Sequence, residues 1–63
     1  NKMDELHTRE VDDAIEGGYG TIIGSDTVAI LDRTEMYSVY KKVNESRWEL
    51  IMTSFTLENI MEA

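Results

Sequence analysis

The sequence predicts a small α+β domain with the element order α-β-β-β-β-α. An apolar stripe at helical spacing lies near the N-terminus, and short β-branched and aromatic runs separated by turn residues follow it. A second helical stripe closes the chain. We therefore expect a four-stranded antiparallel meander with both helices packed on one face. The 63 residues make one domain, 1–63, with residues 1–6 as a candidate disordered segment.

The first helix is predicted from Thr8 to the glycine pair that follows Glu16. Thr8 is a suitable N-cap because its hydroxyl can accept a hydrogen bond from a free amide of the first turn. The apolar stripe consists of Val11, Ala14 and Ile15. Gly17 or Gly18 supplies the left-handed residue that ends the helix.

Four strands are predicted from the β-branched and aromatic content of the chain between the helices. They cover residues 21–23, 27–31, 35–43 and 47–53. Gly24-Ser25-Asp26 joins the first two strands as a hairpin, and Asn44-Glu45-Ser46 is a turn before the last strand.

The second helix is predicted over residues 56–63, with Thr56 as its N-cap and Phe55 and Ile60 as a hydrophobic staple. Strict alternation along the strands assigns side chains to the two faces of the sheet. The face under the helices is predicted to carry Tyr37, Val39, Trp48, Leu50 and Met52. The opposite face, open to water or to a partner, is predicted to carry Met36, Tyr40 and Ile51.

Composition restricts the classes of function. The chain contains no Cys, which excludes disulfides and thiolate metal sites and suits a reducing compartment, so a cytoplasmic protein is expected. No apolar run is long enough for a membrane span, and the first residues do not resemble a secretory signal. The net charge of −7 disfavours direct binding to nucleic acid. Acidic residues dominate the segment from Asp4 to Glu16, which predicts a negative patch.

Motifs that suggest chemistry have simpler interpretations here. The glycines between Glu16 and Thr21 follow a helix instead of leading into one and have no Lys after them, so a phosphate loop is not predicted. His7 is the only His and has no evident catalytic partner in the sequence. The acidic residues do not match a calcium loop, so no metal ion or other cofactor is expected.

The leading functional hypothesis is a small, non-catalytic protein-binding or regulatory module that engages a basic partner. Two candidate surfaces are predicted to bind that partner. The acidic helix offers Glu10, Asp12, Asp13 and Glu16, and the open sheet face offers Met36, Tyr40 and Ile51. One form of the hypothesis is an inhibitor that imitates DNA, by analogy with small acidic proteins of phages and mobile elements.

Two alternatives remain open. The chain could be a homo-oligomeric structural protein, for example a dimer that pairs through a sheet edge or through the open faces. It could also bind a small ligand, or act as an enzyme, at a site formed by Tyr19, Gly20, Asp26 and Asp32.

Overall fold

The computed structural model describes residues 5–56 of the chain. Within them one helix and five strands follow one another. These elements are β1 (Glu5–His7), α1 (Thr8–Glu16), β2 (Gly20–Ile23), β3 (Thr27–Leu31), β4 (Tyr37–Lys42) and β5 (Arg47–Ser54). The sheet-rich α+β class predicted from the sequence is confirmed, with five antiparallel strands in place of four.

The five strands form one sheet in the order β1-β5-β4-β3-β2, and every neighbouring pair is antiparallel. The last four strands are sequential neighbours, so the predicted meander is present. β1 is the added strand, and its Leu6 pairs with Trp48 at the far end of the chain. Three residues with one apolar side chain show no periodicity, and their pairing is long-range, so local sequence patterns do not reveal this strand. Glu5 and Leu6 therefore belong to the sheet, although they fell in the candidate disordered segment.

The start of α1 differs from the prediction in its capping. His7 occupies the N-cap position and makes no side-chain cap hydrogen bond, while Thr8 is the first helical residue. The Thr8 hydroxyl donates to the carbonyl of Glu45 at 2.7 Å and accepts from Nε1 of Trp48 at 3.2 Å. Its backbone N–H donates to the carbonyl of Ser46 at 2.9 Å. Thr8 therefore ties the helix start to the β4–β5 turn instead of capping the first turn.

The end of α1 agrees with the prediction that the glycine pair stops the helix. Gly18 has a φ of 89°, a left-handed conformation that glycine adopts without steric cost. Its N–H donates to the carbonyl of Ile15 at 3.2 Å, and the N–H of Tyr19 donates to the carbonyl of Ala14 at 3.1 Å. A Cβ on Gly20 would lie 2.8 Å from the backbone nitrogen of Ile15, so β2 can start this close to the helix only with glycine there.

Both faces of the sheet carry buried apolar side chains. Under α1 the buried cluster consists of Val11, Val28, Tyr40 and Trp48, with Leu6, Ile30 and Leu50 packed against it. On the opposite face Ala29 and Val39 are buried, with Ile23, Tyr37 and Met52 packed against them. The prediction that the five inner side chains share one face of the sheet is therefore wrong. Trp48 and Leu50 lie under α1, whereas Tyr37, Val39 and Met52 lie on the other face.

A register shift between β4 and β5 explains this division. Val39 pairs with Met52, but the next residue, Tyr40, pairs with Leu50, so Ile51 has no partner on β4. When one strand of a pair contains an extra residue, the side chains that follow it point to the opposite face of the sheet from the one that simple alternation predicts. The simple alternation that grouped Met52 with Leu50 fails at this point.

The predicted open face of Met36, Tyr40 and Ile51 is not assembled. Tyr40 is only 7% exposed because it packs under α1 with Val11 and Trp48. Ile51 is 55% exposed at the register shift, and Met36 is half-buried before β4 begins. The expectation that Tyr40 faces outward was wrong, because the strand places its neighbour Val39 on that side instead.

The predicted second helix, residues 56–63, falls outside the described residues from position 57 onward. Phe55, which was assigned to the staple before it, is 73% exposed. Of the two predicted helices, α1 packs on one face of the sheet as expected. No helix in the part of the chain that the structure describes is long and apolar enough to cross a membrane.

Candidate functional site

A groove runs along one flank of α1, on the sheet face that the helix covers. One end is a cavity of about 280 Å³ lined by Leu6, Glu10, Asp13, Ala14, Tyr19 and Ile30. The other end is a cavity of about 400 Å³ lined by Glu5, Leu6, His7, Glu10 and Arg47. Because Leu6 and Glu10 line both cavities, we treat them as one feature, the α1 groove, with a Tyr19 end and an Arg47 end.

The groove exists because α1 is too small to cover the sheet. α1 follows β1 at one sheet edge and leads into β2 at the opposite edge, so it crosses the face between them. A helix of nine residues is about 13 Å long, whereas the outer strands of a five-stranded sheet lie about 19 Å apart. A strip of the face beside the helix therefore stays open, and Leu6 and Ile30 are only half-buried there.

The Tyr19 end combines an apolar floor with an acidic rim. Its floor is made by Leu6, Ala14 and Ile30, which are buried or half-buried. Glu10 and Asp13 are exposed and stand on α1 above this floor. None of the residues that line this end carries a positive charge. The cavity therefore offers both an apolar surface and an unbalanced negative charge.

The four acidic residues predicted as a binding surface do not act as one set. Glu10 and Asp13 lie three residues apart on the helix and line the groove. Asp12 and Glu16 are also exposed, but they are not among the lining residues of either cavity. The structure thus separates two groove acids from two acids elsewhere on the helix.

The Arg47 end is closer to electrical balance. Nη1 of Arg47 lies 3.5 Å from Oε1 of Glu5, and Nη2 lies 4.0 Å from Oε1 of Glu49. These are exposed ion pairs, which contribute little to stability. The Nε atom of Arg47 is enclosed and donates to no atom of the described residues. His7 lines this end as an exposed side chain.

Several groove residues were not predicted as site residues. Leu6 lies on the strand that local patterns did not reveal, Ala14 was assigned to the apolar stripe of the helix, and Ile30 was predicted only as part of a strand. Tyr19 was predicted as a site residue, but as part of the alternative ligand site; it follows the helix end, lines the groove and is 48% exposed. The lining depends on how α1 lies on the sheet, which the sequence alone does not specify.

The alternative ligand site of Tyr19, Gly20, Asp26 and Asp32 is not brought together. Asp26 and Asp32 flank the two ends of β3 and are therefore about 20 Å apart by the rise of a strand. Tyr19 lines the α1 groove, and Gly20 is held against the end of α1.

Asp32 has a structural role in the turn between β3 and β4. Its Oδ1 accepts hydrogen bonds from the Thr34 hydroxyl at 2.6 Å, the Thr34 N–H at 2.8 Å and the Met36 N–H at 3.2 Å. These bonds favour the charged form, so the Thr34 hydroxyl, and then its backbone N–H, hold the pKa of Asp32 below its ordinary value. In the same turn Glu35 has a φ of 64°, the left-handed conformation that residues other than glycine rarely adopt.

Among residues 5–56, no group of three or more His, Asp and Glu side chains is placed to hold a metal ion. Comparison with known proteins gives no assignment, since no protein-family model, curated protein or solved structure matches this chain. The geometry of the α1 groove is therefore the basis for a functional proposal.

Proposed function

We propose that this chain is a non-catalytic binding module that engages a basic segment of a partner protein through the α1 groove. The observation that carries the proposal is the Tyr19 end of the groove, where Glu10 and Asp13 stand over an apolar floor and no cation is among the residues that line that end. A net charge of −7 supports the same class of partner, because it attracts basic surfaces over long range.

The chemistry of the groove suits a Lys or Arg side chain. The aliphatic stem of such a side chain can lie against Leu6 and Ile30 while its charged head reaches Glu10 and Asp13. The exposed ring of Tyr19 adds a face on which a cation can rest. A purely acidic surface would attract any cation, whereas this combination selects a cation carried on an apolar stem.

The proposal is tested with a short synthetic peptide rich in Arg and Lys, titrated into the protein by calorimetry at low and at physiological salt. A peptide of the same length with Glu at the basic positions is the reference. We expect binding of the basic peptide only, with an affinity that falls as salt screens the exposed charges. The absence of binding at both salt concentrations would contradict the proposal.

Paired variants locate the site. Glu10→Gln with Asp13→Asn removes the groove acids, and Asp12→Asn with Glu16→Gln removes the same charge from the helix outside the groove. Each exposed ion pair contributes about 0.2–1 kcal/mol. We therefore expect the groove pair to weaken binding about fivefold to tenfold, and the control pair to weaken it less than about twofold.

The same variants distinguish the groove from an inhibitor that imitates DNA. A DNA-like surface presents its carboxylates as a set, so all four helix acids would contribute to similar extents. Equal losses for the two variant pairs would reject the groove as the site and favour that form of the hypothesis. A loss confined to the groove pair supports recognition in the groove.

A further inference from the structure

The two edges of the sheet are built differently. β1 closes one edge with three residues, two of them charged or polar at the surface, and Glu5 is paired with Arg47. β2 closes the other edge with Gly20-Thr21-Ile22-Ile23, which contains no charge, no Pro and no register shift. Charges, Pro and irregularities are the usual means by which proteins keep a sheet edge from pairing. β2 has none of these.

The segment of the chain that contains this edge strand has no charged residues. No charged residue lies between Glu16 and Asp26, and this is the longest uncharged run in a chain in which 30% of the residues are charged. Within it Tyr19 and Ile22 are 48% and 50% exposed. In a molecule with a net charge of −7, the residues of this edge strand therefore add no charge repulsion of their own to contact between two copies.

The backbone of β2 is also oriented for pairing. The N–H of Leu31 donates to the carbonyl of Tyr19 at 2.9 Å, one step before the Gly20–Ile30 pair. In an antiparallel ladder the hydrogen-bonding groups of successive residues point alternately toward and away from the neighbour. The N–H and C=O groups of Gly20 and Ile22 therefore point away from β3, where the described residues provide no further strand.

We propose that β2 is a self-association edge, at which two copies of this chain pair antiparallel about a two-fold axis through Thr21. In that register Gly20 of one copy exchanges hydrogen bonds with Ile22 of the other, and the axis repeats the exchange. Thr21 stands opposite its own counterpart, a favourable cross-strand pair. The two sheets become continuous, and both α1 helices lie on the same face.

A second copy suits this edge better than an added basic strand does. The α1 groove draws its negative charge from Glu10 and Asp13, whereas no acidic residue lies within the uncharged run that contains β2. A basic strand would meet no carboxylate along the ladder. An identical uncharged strand is complementary in both polarity and register.

The proposal is tested by sedimentation equilibrium of the full chain from low to high micromolar concentration. We expect a mass that rises from 7.2 kDa toward twice that value. Thr21→Lys places two like charges opposite each other across the axis and is expected to weaken association about tenfold. Thr53→Lys is the matched control, because Thr53 is an exposed threonine on β5, which β4 and β3 separate from the β2 edge. It should associate like the unmodified chain.

Ile22→Pro tests the backbone directly. It removes an N–H that points away from β3, so the β2–β3 ladder keeps its hydrogen bonds while the pairing between copies loses a donor in each chain. Far-ultraviolet circular dichroism verifies that each variant is folded. An unmodified chain that stays monomeric at high concentration would overturn the proposal, as would a dimer that Thr21→Lys and Ile22→Pro leave intact.

Discussion

At the residue scale, Thr8 shows how one side chain can connect distant parts of a small domain. Its hydroxyl joins the carbonyl of Glu45 to the indole N–H of Trp48, and its amide bonds to Ser46. Trp48 is 6% exposed, so its N–H has little access to water if this partner is lost. The threonine that sequence rules assign to helix capping therefore acts as a bridge between α1 and the β4–β5 turn.

We expect Thr8→Val to lower the free energy of unfolding by about 1–3 kcal/mol, because it preserves shape but leaves a poorly solvated N–H unpaired. Urea denaturation followed by the fluorescence of Trp48, the only tryptophan, measures the change. Thr8→Ser keeps the hydroxyl and should cost less than half as much. An unchanged stability for Thr8→Val would show that the bridge contributes nothing.

At the element scale, the sequence predicted the positions of the turns better than it predicted the face of the sheet on which each strand side chain lies. Gly18 at the end of α1 and the polar residues between the strands fulfil local requirements that the sequence displays. The β3–β4 turn adds a property that no motif indicates, since Asp32 gathers hydrogen bonds from Thr34 and Met36. Its lowered pKa makes this turn sensitive to acid.

The lowered pKa of Asp32 predicts that the stability of the fold falls at acidic pH. The folded-state pKa of Asp32 lies below the ordinary value of 3.8, so its stabilising contribution is complete above that value. The contribution is lost as the pH falls through the folded-state pKa. We expect the stability difference between the unmodified chain and Asp32→Asn to be constant from pH 7 to pH 5 and to shrink below about pH 4, as measured by urea denaturation.

Thr34→Val serves as the control for this turn, because it removes the hydroxyl that contributes most to the lowered pKa. It should reduce the pH dependence while leaving the Asp32 carboxylate in place. A stability difference that grows toward low pH would have the opposite sign and would reject the assigned role of Asp32.

At the scale of the whole molecule, the domain depends on a small number of buried side chains. Val11 is 1% exposed and is the member of α1 that packs with Val28, Tyr40 and Trp48. Ile15, predicted to share its apolar stripe, is 37% exposed. A core in a chain of this size supplies only about 3–5 kcal/mol of net stability, so a single contact is a large part of the total.

Val11→Ala is expected to cost about 2 kcal/mol, because it removes buried methyl groups and leaves a cavity between α1 and the sheet. Ile15→Ala, a larger truncation at a partly exposed site of the same helix, should cost less. Thermal unfolding followed by circular dichroism compares the two variants. A larger loss for Ile15→Ala would mean that the helix packs on its other flank and would also remove the basis of the α1 groove.

The sequence by itself determined the α+β class, the extent of α1 and the connectivity of the meander from β2 to β5, because periodicity and turn residues act over a few neighbouring positions. Only the tertiary structure decided the presence of β1, the division of side chains between the two faces and the α1 groove. β1 depends on pairing between Leu6 and Trp48, and the faces depend on the one-residue shift that leaves Ile51 without a partner. Both are long-range registers, and a one-residue slip in a strand reverses every side chain beyond it.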